Sequence, residues 1–166
     1  ETSLSELIDS LENTSDNINL VKVTIPEGYN VEEIGKRIEE CGFCTKEEFI
    51  QAVKNHQLPD FIEENDKTRY NLEGFLYPDT YLIEKGTSAD SIIAMMLERF
   101  NTVIHQVEEE NKIELNKSEL YKTITIASMI EKEARVDKDR PLIASVINNR
   151  LNKGMKLQLD ATVLYS

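Results

Sequence analysis

Glu131 stands near the end of a mostly apolar run, residues 124–134, in which Ile124, Ile126, Ala127, Met129 and Ile130 precede the carboxylate. A carboxylate held against apolar surface loses solvation of its charged form, so its pKa rises and it can keep a proton near neutral pH. That is what a general acid requires. On a helix, Leu120, Ile124, Ala127, Ser128, Glu131 and Ala134 follow one another at spacings of three and four and share one stripe. The pattern therefore predicts that Glu131 continues a buried face. Glu133, about 200° further round at 3.6 residues per turn, is expected on the opposite side. The plainer reading is a surface glutamate at a helix end, since Glu is rarely fully buried unless paired.

Two other stretches hold residues that could do chemistry. Residues 72–81, LEGFLYPDTY, combine Glu73 with the turn formers Gly74, Pro78 and Asp79 and with Phe75, Tyr77 and Tyr81. Aromatics beside a turn usually mean packing, but a sugar-lining surface uses the same residue types. In residues 146–165, Asn148, Asn149 and Arg150 are either a solvated helix end or a polar group in which Arg150 grips a carboxylate with two donors. Cys41 and Cys44 flank Gly42 and Phe43. Their position at the close of a helical pattern, and the lack of further ligands at finger-like spacing around His56 and His105, favour apolar core or turn residues over a redox pair or a zinc site. A local disulfide is the alternative. There is no Gly-x-Ser-x-Gly elbow, no phosphate-cradling glycine loop and no His-Glu-x-x-His helix. With six glycines and two histidines, nucleotide, metal and His-dependent chemistry are poorly supplied, and no cofactor is expected.

The elements that must position these residues can be traced along the chain. Val21, Val23 and Ile25 alternate with Lys22 and Thr24 as in a half-buried strand ended by Pro26-Glu27-Gly28. Asn30 with Glu33, and Thr45 with Glu48, form capping-box spacings that open two short helices, the first burying Val31, Ile34, Ile38 and Cys41. Residues 80–83 look like a second strand that pairs with the first, closing a βααβ unit. Residues 57–70 between them read as a short helix and loop. Thr87 with Asp90 is expected to cap a long helix through Ile92, Met96, Phe100 and Val107 that ends in the acidic run 108–110. Asn116 or Ser118 starts the helix carrying Glu131. Asp139 with Pro141 starts another, through Leu142, Ile143, Val146, Ile147 and Leu151, stopped by Gly154.

Of the 166 residues, 40% are apolar, enough for a core, and 31 acidic against 19 basic residues leave a net charge of -12. So acidic a chain is a poor match for a phosphate backbone, so nucleic acid is not an expected partner. The longest apolar run, about eight residues, falls far short of the roughly twenty that span a bilayer. The chain begins with Glu1 and shows no signal-peptide pattern, and it is expected to be a piece of something longer.

Three segments in this order, LEGFLYPDTY (72–81), ASMIEKEA (127–134) and VINNRLNKGMKLQLDATVLY (146–165), resemble the YceG-like family of endolytic murein transglycosylases. The resemblance runs from about Val21 onward. It implies an α+β fold: a lead-in over residues 1–19, a βααβ LysM-like module with an inserted loop over 20–86, and the N-terminal part of a mainly helical catalytic domain over 87–166. It implies that peptidoglycan glycan strands are the substrate and Glu131 the catalytic glutamate, acting first as acid and then as base. It places Glu73, Tyr77, Asn148, Arg150, Gln158, Asp160 and Tyr165 around the sugar, with no metal. It implies cell-wall synthases as partners and a location at the extracytoplasmic face of the bacterial cytoplasmic membrane, through one N-terminal anchor outside this chain. Ala161 and Ser166 replace the proline and glycine usual in the family. Family members continue past Tyr165, so part of the cleft is expected to be missing, and a piece of this extent can fold without being active. A binding-only module and a helical interaction domain are the competing readings. The aminodeoxychorismate lyase label sometimes given to this family would need a pyridoxal phosphate site, for which the sequence offers no cradle.

Overall fold

A computed structural model describes residues 19–66, 68–134 and 136–159. The expected lead-in therefore lies almost wholly outside the described residues. Strand β1, Leu20–Thr24, pairs antiparallel with β2, Thr80–Glu84, in a register that sets Val23 opposite Tyr81 and Val21 opposite Ile83. The period-two pattern has the expected result: Val23 and Ile83 are buried, while the hydroxyls of Thr24 and Thr80 meet at 3.0 Å on the other face. Two helices, α1 (Val31–Glu40) and α2 (Lys46–Asn55), connect the strands on one side of the intervening loop. Both start with the capping boxes read from the sequence, Asn30 with Glu33 and Thr45 with Glu48.

Helix α3, Ala89–Asn111, packs on α2 and sends Ile92, Ile93, Met96, Leu97 and Phe100 into the same core as the βααβ unit. Its cap differs from expectation. Ser88, not Thr87, accepts the Ser91 amide, because the Thr87 hydroxyl is already donated to the Glu84 carbonyl at 2.7 Å. The loop before β2 also differs, since its described residues form turns and no helix. Leu58-Pro59 and the polar run after Ile62 leave too few helix formers in sequence, and the loop is instead pinned by Ile62, buried, and Phe61, stacked on Phe100 at 5.9 Å. Cys41 and Cys44 carry free thiols, both half-buried, and burial raises the Cys44 pKa.

Helix α4, Lys117–Glu133, begins at an Asn116 and Glu119 capping box, and α5, Arg140–Asn152, follows a 3-10 turn, Asp137–Asp139. The two pack against each other. The stripe expected to bury Glu131 is not built along its whole length. Leu120 is buried and Ile124 half-buried against the core, whereas Ala127 and Ser128 are exposed. Only the first half of α4 reaches the core, and beyond Ile124 the apolar run is covered only in part, with Ile126, Met129 and Ile130 half-buried. On α5 only Ile147 is buried, and Leu142, Val146 and Leu151 face outward. The result is a mixed α+β protein, mostly helical, with a two-stranded sheet. No helix among the described residues is long and apolar enough to cross a membrane.

Candidate active site

The last turn of α4 brings Glu131 to the front of the molecule. The next residue, Lys132, donates from Nζ to the carbonyl of Gly28 at 2.8 Å, joining positions 104 residues apart. Gly28 has φ +77°, a left-handed conformation that residues with a Cβ adopt at a cost. A Cβ placed there would lie 3.5 Å from Lys132 Nζ and 3.8 Å from Glu131 Oε1. The Glu131 carboxylate thus rests over bare backbone in the turn between β1 and α1. Glu131 is half-exposed, and among the described residues its carboxylate takes part in no hydrogen bond or ion pair. Glu133 is half-buried too, so exposure does not separate the two glutamates; contact with Gly28 marks out Glu131.

The far end of the same turn is held by a second carboxylate. Glu73 Oε2 accepts the Val31 amide at 3.3 Å, one of the N–H groups that the start of α1 leaves without a helical partner. Burial raises the Glu73 pKa; the Val31 N–H works against this, the charges of Glu33 and Glu32 add to it, and Arg69 opposes it. Glu73 reaches Val31 because the turn behind it lies against α4. Gly74, at φ +84°, lies close to α4: a Cβ would come 3.0 Å from Ile124 Cγ2, and Ile124 would have to give by a few tenths of an ångström.

The other residues expected at the site are distributed as follows. Tyr77 is half-buried, with the Arg99 guanidinium 5.6 Å from its ring centre, and its carbonyl accepts the Tyr81 hydroxyl at 2.6 Å. Arg99 also donates to Asp79 at 2.7 Å, so this aromatic turn is packed onto α3. Asn148 is exposed on α5. Among the described residues Arg150 grips no carboxylate; it donates to the Leu157 carbonyl and ties the segment after Gly154 back to the end of α5. Gln158 is exposed, with φ +50°. Asp160 and Tyr165, like Ala161 and Ser166, lie outside the described residues. The structure therefore gathers Glu131 and Glu73 on one turn. Two surface depressions, one around His56, Pro59 and Asp90 and one around Glu63, Asn65 and Tyr121, do not include Glu131. Among the described residues no group of His, Cys, Asp and Glu could hold a metal ion.

Sequence reasoning missed Gly28 and Lys132. The signal for Gly28 was present as a glycine in a tight turn; its pairing with a lysine 104 positions later has no local signature.

Fold and site together define a mostly helical α+β protein that sets a carboxylate, unpaired among the described residues, from a helix end beside a glycine turn. Residues 1–166 match the model of the YceG-like family, and the chain belongs to that family. It is 36% identical over 158 residues to a Bacillus subtilis protein named endolytic murein transglycosylase, covering 87% of this chain and 43% of that relative. A Streptococcus pneumoniae protein of the same name is 34% identical over 167 residues, covering 89% of this chain and 29% of the relative. The chain thus spans less than half the length of these curated relatives. A crystal structure of a YceG-like protein from Listeria monocytogenes superposes with a TM-score of 0.74 at 30% identity, covering 97% of this chain and 57% of that one.

Proposed function

We propose that the protein is a peptidoglycan lytic transglycosylase that cuts within glycan strands, with Glu131 as its single acid–base residue. The observation that carries this reading is the Glu131 carboxylate, unpaired among the described residues and set beside the Gly28 turn. The name shared by relatives at 33–36% identity supports the same chemistry. In a helical interaction domain with no glycan role, Glu131 would be a surface residue or an ion-pair partner.

Glu131 protonates the glycosidic oxygen between N-acetylmuramic acid and N-acetylglucosamine as positive charge develops at the anomeric carbon. The bond breaks and the N-acetylglucosamine hydroxyl leaves. The resulting Glu131 carboxylate removes the proton of the muramyl C6 hydroxyl, whose oxygen bonds to the anomeric carbon of the same sugar. The product is a 1,6-anhydro end, with no water consumed and Glu131 again protonated. One carboxyl group does the work of the pair used by most glycosidases.

Glu73, Tyr77, Asn148, Arg150, Gln158, Asp160 and Tyr165 are proposed to surround the sugar, Glu73 from beneath the turn. The βααβ unit is proposed as a LysM-like module, and residues 87–166 as part of the catalytic domain. Murein substrate and cell-wall synthase partners would place the protein at the extracytoplasmic face of the cytoplasmic membrane, held there by an anchor outside this chain.

The test is digestion of purified glycan strands by the protein extended at its C-terminus to the length of its relatives, with products read by mass spectrometry. Anhydro-muramyl ends are expected, falling about 10²–10⁴-fold in Glu131→Gln while strand binding persists. Reducing ends that have gained water would overturn the reading in favour of a hydrolase, and strands retained but uncut would leave a binding module.

A further inference from the structure

We infer that Lys132 and Gly28 are positioning residues for Glu131, forming a latch between the βααβ unit and the end of α4 that holds the carboxylate in place. The inference rests on the proposed acid–base role of Glu131 and adds to it the groups that aim it.

Lys132 is exposed, and an exposed lysine ordinarily stays solvated, because fixing its four-carbon chain costs side-chain entropy. Here its ammonium group is spent on one backbone carbonyl, that of Gly28. The neighbouring residue, Glu131, places its carboxylate against the same glycine, with Oε1 and Nζ both within 4 Å of the missing Cβ. Two consecutive residues of one helix end thus meet one point of a turn that begins the other half of the protein. That turn cannot drift independently. Its far end is tied by Glu73 to the Val31 amide and by the reciprocal Asn30 and Glu33 bonds of the capping box, at 2.9 Å each. The lysine also sits in the last turn of α4, where a cation is favoured by the helix dipole. Gly28 contributes through its backbone: its φ of +77° turns the carbonyl toward Lys132, while a Cβ there would meet Lys132 and Glu131 only at ordinary van der Waals distance.

A carboxylate that must reach a glycosidic oxygen and then a C6 hydroxyl is sensitive to displacement on the order of 1 Å. Releasing the latch should therefore impair turnover more than binding. The experiment uses the protein extended to the length of its relatives and measures kcat and KM for release of anhydro-muramyl ends by the wild type and by Lys132→Met, Lys132→Arg, Gly28→Ala and the Gly28→Ala/Lys132→Met double variant. Lys132→Met is expected to lower kcat on the order of tenfold with KM within about twofold. Lys132→Arg keeps a donor of similar reach and is expected to restore kcat to within about threefold. If both groups act through one contact, the double variant loses no more than the worse single one.

Thermal unfolding identifies a variant that has failed to fold; Lys132, being exposed, keeps the test open where Gly28→Ala does not fold. Wild-type kcat in Lys132→Met, equal impairment by Met and Arg, or a rise in KM at constant kcat would each overturn the latch. A wild type that makes no anhydro ends would overturn the proposed function instead, and the latch with it.

Discussion

Gly74 and Ile124 approach so closely that a Cβ on the glycine would lie 3.0 Å from Ile124 Cγ2, a tight contact between the aromatic turn and α4. The expected consequence is that Gly74→Ala destabilises the fold by two separable effects. Its φ of +84° costs about 1–2 kcal/mol for a residue with a side chain, and the clash with Ile124 adds an overpacking cost of roughly 1 kcal/mol or more. Gly42 isolates the first effect, having φ +81° with nothing within 4 Å of a Cβ. Chemical unfolding of Gly74→Ala and Gly42→Ala should therefore show the larger loss at Gly74; equal losses would mean that α4 yields without resistance.

The features legible in the sequence were local ones. Each capping box is written in four consecutive residues, and Asn30 with Glu33 and Thr45 with Glu48 form as spaced, while of the two candidate starts of α4, Asn116 and Ser118, it is Asn116 that caps. The alternation in Leu20–Thr24 is likewise local, and it sufficed to set which side chains of β1 are buried. What failed was inference from apolar content to burial. Ala127 and Ser128 share a stripe with Leu120, but a stripe is buried only where another element covers it, and that depends on packing between distant parts of the chain. Thr87 and Ser88 both suit a cap; the choice between them rests on the Glu84 carbonyl, across a turn. The latch between Lys132 and Gly28 lies furthest from sequence reading, because neither residue carries a pattern that names the other.

Glu73 gives a pH signature of its own. Burial first, and then the nearby Glu33 and Glu32, raise its pKa above the ordinary 4.5, so the folded chain takes up this proton at a higher pH than the unfolded chain. The group therefore adds stability that is complete below pH 4.5 and is lost as pH rises through the folded-state pKa. Glu73→Gln keeps an oxygen able to accept the Val31 amide and removes the titration. Its melting temperature is expected to exceed that of the wild type at neutral pH, with the gap narrowing as pH falls toward 4.5. A gap independent of pH would mean that burial of the charge at Glu73 does not limit stability.

The start of α4 offers a variant that should separate stability from turnover. Asn116 Oδ1 accepts the Glu119 amide at 3.0 Å, and Glu119 Oε2 accepts the Asn116 amide at 3.1 Å. Asn116→Ala removes the first of these bonds at a cost of about 1 kcal/mol, a fall in melting temperature of roughly 2–4 °C for a chain of this size. Glu131 lies 15 residues on, roughly 22 Å along the helix at 1.5 Å per residue, and fraying at a helix end is confined to the first turn. If Glu131 is held from its own end by Gly28, release of anhydro-muramyl ends should be unchanged in Asn116→Ala when measured well below the melting temperature. A parallel loss of turnover would mean that the whole helix, and not the contact at its last turn, sets where the carboxylate stands.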